Sequence, residues 1–234
     1  MTTTLITGAN KGLGYETARQ LIAAGHTVYI GARDADKAKQ AAADLGGLPL
    51  LIDITDDASV RAAADEVEQA GRGLDVLVNN AGIAGGMVAP GDVTAAGIAR
   101  VFDTNMFGVV RVMHAFMPLL ERSEHPVVVN VSSGLGSIGR VTDPDRMESG
   151  YPTLAYGSAK AAVNMLTVQY AKAFPRLRIN VVDPGYTSTD LNHFRGTQTI
   201  EQGVVPIVRA ARIAELGEEA PTASFFDAAG PVPW

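Results

Sequence analysis

Cysteine is absent from this sequence of 234 residues. Its absence excludes disulfide bonds, thiolate nucleophiles and zinc sites built on cysteine, and it is typical of proteins from a reducing compartment. Also lacking are a long basic run and an apolar run approaching the roughly 20 residues of a membrane span. With a formal net charge of −6, the chain is not expected to bind nucleic acid or an acidic membrane surface.

The N-terminus lacks the pattern of a signal peptide. Met1-Thr2-Thr3-Thr4 leads directly into a strand-like run with no basic segment before it, so we expect a cytoplasmic protein. The composition, 47% hydrophobic and 19% charged, is that of an ordinary globular chain. Its length and the absence of a linker predict one domain spanning residues 1–234.

The sequence does contain a regular alternation of short apolar runs and longer amphipathic stretches. The apolar runs, rich in Val, Ile and Leu, predict strands covered on both faces, at 4–7, 27–32, 48–53, 76–79, 127–131, 179–183 and, more weakly, 224–227. The stretches between them predict helices at 12–24, 36–45, 57–70, 105–122, 153–174 and 201–215. This order predicts an α/β fold, a Rossmann-type doubly wound parallel sheet of about seven strands with helices on both faces.

A glycine-rich turn, Thr7-Gly8-Ala9-Asn10-Lys11-Gly12-Leu13-Gly14, joins the first strand to the first helix. Gly8 suits a tight turn, Gly12 allows the backbone to approach a phosphate, and Gly14 allows close packing of helix on strand. The following helix N-terminus offers free N–H groups to a pyrophosphate. A dinucleotide site is the favoured interpretation, and a ligand-free βα turn is the alternative.

The end of the second strand, Ala32-Arg33-Asp34, bears on the choice of dinucleotide. An acidic residue there would hold the 2′-hydroxyl of NAD, whereas Arg33 together with Lys11 suits the 2′-phosphate of NADP. Asp34 is either that acid, displaced by one position, or the N-cap of the next helix. We favour the N-cap and NADP(H).

Two further strand ends carry polar or small residues. Asp53-Ile54 follows the third strand, where a carboxylate would accept a hydrogen bond from an adenine amino group or cap a turn. Asn79-Asn80-Ala81-Gly82 follows the fourth, where small and amide residues let the backbone lie close to a ribose, tie strands together, or do both.

Tyr156 and Lys160 lie one helical turn apart and therefore on one helix face. An ammonium beside a phenol favours the phenolate, so this pair predicts an acid–base group with a lowered tyrosine pKa. Ser133 follows the fifth strand, and Asn105 lies at the start of a predicted helix, where capping is the simplest role. The four histidines show no spacing for a metal, and no metal is expected.

Taken together, these motifs resemble the short-chain dehydrogenases/reductases over essentially the whole length, and most closely their NADPH-dependent carbonyl reductases. The resemblance implies that Tyr156 exchanges the proton, that Lys160 lowers its pKa and binds the nicotinamide ribose, that Ser133 holds the substrate oxygen, and that Asn105 anchors a water. It also implies that Pro184-Gly185 lies against the nicotinamide, with Thr187 and Thr189 nearby. The predicted cofactor-binding residues are Gly8, Asn10, Lys11, Gly12, Leu13, Gly14, Arg33, Asp53, Ile54, Asn80, Ala81, Gly82, Tyr156, Lys160, Pro184, Gly185, Thr187 and Thr189.

The sequence departs from this resemblance in the spacing between the serine and the tyrosine. The family leads us to expect about 13 residues between them, whereas here Tyr156 is the 23rd residue after Ser133. The added stretch, which includes Arg140 and Glu148, is either a solvated loop or a lid that shapes the pocket or blocks a helix-pairing surface. We expect loops 84–98, 134–152 and 186–200 to surround the substrate. The predicted function is NADPH-dependent reduction of a small ketone or aldehyde, with a non-catalytic NADP(H) sensor as the alternative; substrate and oligomeric state stay open.

Overall fold

The computed structural model describes residues 2–86 and 88–234, except for the side chains at 216, 218 and 219. Seven strands form one sheet: β1 (Thr3–Thr7), β2 (Thr27–Ala32), β3 (Leu48–Leu51), β4 (Val76–Asn79), β5 (Val127–Val131), β6 (Arg178–Val182) and β7 (Phe225–Phe226). Their spatial order is β3-β2-β1-β4-β5-β6-β7, and every neighbouring pair is parallel. The predicted Rossmann-type sheet is confirmed.

The helices are α1 (Gly12–Ala23), α2 (Ala35–Leu45), α3 (Asp57–Gln69), α4 (Ala95–Phe102), α5 (Gly108–Glu121), α6 (Ile138–Val141), α7 (Leu154–Ala173), α8 (Ile200–Gly203) and α9 (Val205–Ala211). Over the described ranges, none of them combines the length and the apolar character needed to cross a membrane.

Two hydrophobic layers cover the sheet, because successive strand residues face opposite sides. In β4, Leu77 packs in one layer and Val78 in the other. The first layer also holds Phe116 of α5 and Val163 of α7, whereas the second holds Leu21 of α1 and Ile207 of α9. Both faces of the strands are therefore buried, which explains why their sequences are apolar nearly throughout.

The strand order reverses between β1 and β4, which are neighbours although β2 and β3 intervene in sequence. In open α/β sheets, ligands bind outside the carboxyl ends of the strands at such a reversal. The glycine-rich turn follows β1 and Asn80 follows β4, so the fold brings both to this crevice.

Three predicted elements differ from the structure. The segment 105–122 was expected to begin a helix at Asn105, but α4 and α5 are joined by a π-helical turn, Asp103–Phe107, so Asn105 lies inside a helical run. Helix α4 itself occupies part of the predicted loop 84–98. The predicted helix 201–215 is divided into α8, α9 and a 3₁₀ segment, Ile213–Glu219, since Pro206 interrupts the pattern near the start of α9.

Candidate active site

The residues predicted to be catalytic meet at the carboxyl ends of β5 and β6. Ser133 follows β5, and its hydroxyl is hydrogen-bonded to that of Tyr156 on α7. One turn further along α7, Lys160 is buried, and its Nζ donates to the carbonyl oxygen of Val131 at 2.7 Å. Ser133, Tyr156 and Lys160 therefore form one cluster, held by a strand end and a single helix.

The neighbouring hydroxyl, Ser132, is used differently. Its Oγ donates to Oδ1 of Asn164 on α7 at 2.6 Å, and the residue is buried. Asn164 in turn donates to the carbonyl oxygen of Gly136 at 3.0 Å. Ser132 thus fastens the strand end to the helix, while the Ser133 hydroxyl is the one directed at Tyr156.

The acidity of this cluster differs from the expectation for a Lys beside a Tyr. Lys160 Nζ lies 5.6 Å from the centroid of the Tyr156 ring, over the ring face instead of beside the hydroxyl. Burial, helped by the negative charge of Asp183, raises the pKa of Tyr156 to about 12. Burial also lowers the pKa of Lys160 to about 8, which Asp183 partly opposes. In this arrangement the phenol keeps its proton at neutral pH.

Asn105 does not cap a helix. Its side chain accepts from the backbone N–H of Ile83 at 2.8 Å and donates to the carbonyl oxygen of the same residue, also at 2.8 Å. Asn105 is buried, and a Cβ on Gly82 would lie 3.2 Å from its Oδ1 and 3.8 Å from Lys160 Nζ. The π-helical turn therefore places Asn105 close to Lys160, as such turns often do at functional sites.

The glycine-rich turn is built from close backbone contacts. Gly8 has a left-handed backbone with φ +65°, and a Cβ on Gly14 would lie 2.5 Å from the carbonyl oxygen of Gly8. Asn80 donates from its side chain to the carbonyl oxygens of Thr7 and Gly8, at 2.9 and 3.2 Å. The amide residue after β4 thus ties two strand ends together, which is one of the two roles expected of it.

Helix α1 begins beside this turn without a cap. Lys11 stands at the N-cap position, makes no side-chain capping bond, and is followed by no acidic residue in the first turn. The helix N-terminus therefore offers its amide groups to the crevice, as a phosphate site requires. Lys11 itself is ion-paired with Asp190, from the loop after β6.

Arg33 and Asp34 have separate positions at the end of β2. Arg33 is exposed. Asp34 is the N-cap of α2, because its carboxylate accepts from the backbone N–H groups of Asp36 and Lys37, both at 3.1 Å. This geometry agrees with the N-cap interpretation of Asp34. Arg33 takes no part in the capping.

The remaining predicted cofactor residues also lie at the carboxyl edge of the sheet. Asp53 accepts from the backbone and hydroxyl of Thr55 through Oδ1 alone, and the backbone bond of Thr55 is the main cause that lowers its pKa. Ile54 is buried beside it. Gly185, Thr187 and Thr189 follow β6; Thr187 donates to the carbonyl oxygen of Pro184 at 2.9 Å, so its hydroxyl stabilises that turn.

Two adjoining cavities open onto Tyr156. One, of about 450 Å³, lies between Ser133, Gly185 and the loop after β6. The other, of about 520 Å³, lies between the start of α4 and the segment before α7, and it also reaches Tyr156. All three loops predicted to surround a substrate contribute to these walls.

Two residues of this site carry no role in the sequence interpretation. Asp183, which is 3% exposed, precedes Pro184, and Arg140, which is 8% exposed, pairs with it at 2.7 Å. The interpretation of the stretch before Tyr156 as a solvated loop is wrong for Arg140. A carboxylate at the end of a strand rich in Val and Ile was the available signal for Asp183; Arg140 had none, because its partners are distant in sequence. Among the side chains that the structure describes, no group of three or more His, Asp or Glu residues is placed to hold a metal.

Comparison with known proteins gives consistent matches. A family model described as short chain dehydrogenase matches residues 2–199. Short-chain dehydrogenase anuI of Penicillium roqueforti is 38% identical over 220 residues, covering 88% of this chain and 87% of that protein. (+)-Neomenthol dehydrogenase of Arabidopsis thaliana is 29% identical over an alignment of 282 positions, covering 95% and 94%.

Solved structures are similar over the whole fold. An NADPH-bound carbonyl reductase from chicken fatty liver superposes with a TM-score of 0.86 at 26% identity, covering 100% of this chain and 99% of that one. Salutaridine reductase from Papaver somniferum superposes with a TM-score of 0.82 at 26% identity, covering 97% and 100%.

Proposed function

The chain belongs to the short-chain dehydrogenase family of oxidoreductases, and we propose that it reduces a ketone or aldehyde to the alcohol with NADPH. The observation that supports this most directly is the cluster of Ser133, Tyr156 and Lys160 at the wall of a cavity, beside an uncapped helix N-terminus. The names of similar proteins, which include a carbonyl reductase bound to NADPH, point the same way.

The residues present suit this cofactor. The turn before α1 has no room for a Cβ at Gly14, and the amides at the start of α1 are uncapped, which suits a pyrophosphate. Arg33 is exposed at the position where a 2′-phosphate is bound in folds of this type. Gly82 lies beside Lys160, since a Cβ there would be 3.8 Å from Lys160 Nζ, and Gly185 lines the cavity that Tyr156 also lines. When bound, NADPH supplies the hydride.

Each catalytic side chain then has a defined task. Tyr156 donates the proton to the carbonyl oxygen, and it can do so throughout the neutral range because burial raises its pKa to about 12. The Ser133 hydroxyl, already bonded to Tyr156, holds the same substrate oxygen. Lys160, with its pKa lowered to about 8, is still mainly an ammonium at pH 7, where it binds the ribose and connects to the Asn105 turn.

The decisive experiment is NADPH oxidation by the purified protein against a panel of ketones and aldehydes. Replacing Tyr156 with Phe removes the proton donor and should lower kcat about 1,000-fold, the size of a general-acid contribution. Tyr170→Phe is the matched control, because Tyr170 lies on the same helix away from both cavities. Full activity in Tyr156→Phe would refute the assignment, and NADPH binding without turnover of any substrate would favour the sensor alternative.

A further inference from the structure

A buried ion cluster lies beside the proposed catalytic centre. The guanidinium of Arg140 contacts three carboxylates, at 2.7 Å for Asp183, 2.5 Å for Asp227 and 3.4 Å for Glu148. Arginine is seldom buried unless it is paired. One cation among three carboxylates leaves an excess of negative charge, and buried ion pairs contribute little to stability on balance. The arrangement therefore calls for an explanation other than stability.

The cluster joins separate parts of the fold. Arg140 lies in α6 and Glu148 in a following 3₁₀ turn, both within the insertion segment, residues 134–152. Asp183 follows β6, and Asp227 follows β7. The insertion segment is thereby held to the carboxyl edge of the sheet, where the cavities lie.

Further hydrogen bonds fasten the same segment. Ser137 donates through Oγ to the carbonyl oxygen of Pro233 at 2.5 Å, and the backbone N–H of Gly139 donates to that of Trp234 at 2.9 Å. These bonds hold the backbone around α6, and from there the side chain of Arg140 reaches Asp183 at the end of β6.

Asp183 makes that connection. Its Oδ1 accepts from the backbone N–H of Gly185 at 2.9 Å, and its carboxylate also accepts from the N–H of Gly134. Gly134 directly follows Ser133 and is covered by the cluster, since a Cβ there would lie 2.4 Å from Glu148 Oε1 and 3.1 Å from Asp183 Oδ2. The placement of the Ser133 hydroxyl and of Gly185 thus depends on how Asp183 is held.

We propose that Arg140 is a positioning residue for the reaction: through Asp183 it holds Ser133-Gly134 and Gly185 in place, and through Glu148 it holds the insertion segment against the cavity. This role rests on the reductase function proposed for Tyr156. Arg140 touches neither Tyr156 nor the cavity in which the substrate would lie, so it acts through its carboxylate partners.

Charge gives the proposal a second consequence. The charged and titratable groups placed around Tyr156 come from its own helix, the ends of β6 and β7, the insertion segment, the loop after β6, and the segment before α4 with α4 itself. They are Lys160, Asp183, Asp227, Arg140, Glu148, Tyr151, Tyr186, His193, Arg195, Asp92 and Arg100. Among these carboxylates, Asp183 is the one whose negative charge raises the pKa of Tyr156. Loss of the Arg140 charge would leave Asp183 uncompensated and make Tyr156 harder to ionise, whereas neutral Asn at 183 would make it easier.

The first test compares Arg140→Met, Arg140→Lys and Asp183→Asn in steady-state kinetics and pH profiles. We expect kcat of Arg140→Met to fall at least about tenfold, as small displacements of catalytic groups do. Asp183 raises the pKa of both Lys160 and Tyr156, so the apparent alkaline pKa of the kcat profile should rise in Arg140→Met and fall in Asp183→Asn. Arg140→Lys should keep the wild-type profile with an intermediate kcat. Arg146→Met is the control, because Arg146 lies in the same segment but is exposed and paired with Asp143 of that segment.

The second test does not require turnover. Hydrogen exchange of the folded protein should show faster exchange of the Gly134 and Gly185 amides in Arg140→Met, or in Arg140→Lys if the methionine variant does not fold, and no change in Arg146→Met. Wild-type kinetics, pH profile and exchange in an Arg140 variant would overturn the positioning role. A wild-type protein that reduces no carbonyl would instead count against the reductase function, and the exchange comparison would then decide the positioning role by itself.

Discussion

The cofactor end (residues 7–14, 33–34 and 53–54) and the catalytic end (residues 133–160 and 183–185) share one edge of the sheet but are built differently. At the cofactor end, backbone contacts of glycines make the shape, and the charged side chains of Lys11 and Arg33 are exposed. At the catalytic end, charges are buried: Lys160 and Asp183 are 5% and 3% exposed.

The difference teaches where each end is vulnerable. A site made of backbone fails when atoms are added, because neighbouring peptide groups cannot move aside. A site made of buried charges is costly to fold, since each charge must be desolvated and paired. We therefore expect substitutions at the cofactor end to weaken cofactor binding. Substitutions that remove a buried charge at the catalytic end should lower activity and raise stability.

The largest effect is expected for Gly14→Ala. The added Cβ would lie 2.5 Å from the carbonyl oxygen of Gly8 and 3.0 Å from Cα of Ala9, both backbone atoms, so the turn must shift. We expect a loss of about 3 kcal/mol in unfolding free energy, as for severe overpacking, and loss of measurable NADPH binding by fluorescence titration. Gly91→Ala is the control, because no atom of the described residues beyond its chain neighbours lies within 4 Å of its Cβ position. Normal binding by Gly14→Ala would show that the turn is not a tight backbone cradle.

Lys160→Met should make the protein inactive and more stable. The pKa of Lys160 is about 8 in the folded protein and 10.5 for an ordinary lysine. Below pH 8, burying the charged side chain therefore lowers the stability of the folded protein. Each unit of pKa difference corresponds to about 1.4 kcal/mol of destabilisation that the variant no longer carries. Losing the hydrogen bond to Val131 costs the variant about 1 kcal/mol. The unfolding free energy of Lys160→Met should therefore exceed that of the wild type by about 2 kcal/mol at pH 7.

The pH dependence supplies the check on that prediction. Because the folded pKa is depressed, the wild-type protein regains this stability as pH rises from 8 to about 10. The difference in unfolding free energy between Lys160→Met and the wild type, measured in urea without cofactor, should shrink over that window. A difference that is constant with pH would contradict the burial of the Lys160 charge as its cause.

Arg33→Ala tests an exposed charge at the cofactor end. We expect KM for NADPH to rise about tenfold, the loss of one charge-assisted phosphate contact, with KM for NADH and the melting temperature unchanged. Arg61→Ala, also an exposed arginine, is the control. An unchanged preference for NADPH over NADH in Arg33→Ala would refute the assignment of Arg33 to the 2′-phosphate.

The smallest effect is expected for Asp34→Ala. Loss of the N-cap bonds to Asp36 and Lys37 should lower the unfolding free energy by about 1 kcal/mol. Asp34→Asn, which can still cap the helix, should lower the unfolding free energy by only about a few tenths of a kcal/mol. Neither variant should change the kinetics with NADH. A selective rise of KM for NADH in Asp34→Ala would show instead that Asp34 holds the ribose hydroxyl.

Much of the fold was predictable because its signals are local. Strand and helix positions follow from apolar periodicity, and the parallel sheet of about seven strands follows from alternation of the two types. The π-helical turn around Asn105 was not predictable, since the sequence predicted a helix that begins at Asn105, and only the contact with Ile83 shows what the turn serves. Likewise, Lys160 Nζ lies away from the Tyr156 hydroxyl because it donates to the carbonyl oxygen of Val131, a contact that the spacing of Tyr156 and Lys160 does not predict.

The sequence by itself determined the sheet, the glycine-rich turn, the capping of α2 and the spacing of Tyr156 and Lys160, because each depends on residues within one element or one turn. Only the tertiary structure decided that the stretch before Tyr156 is anchored by a buried arginine. The partners of Arg140 stand 43 and 87 positions away, at Asp183 and Asp227. Whether a charge is solvated or buried depends on what the rest of the chain packs against it, and no local pattern records that.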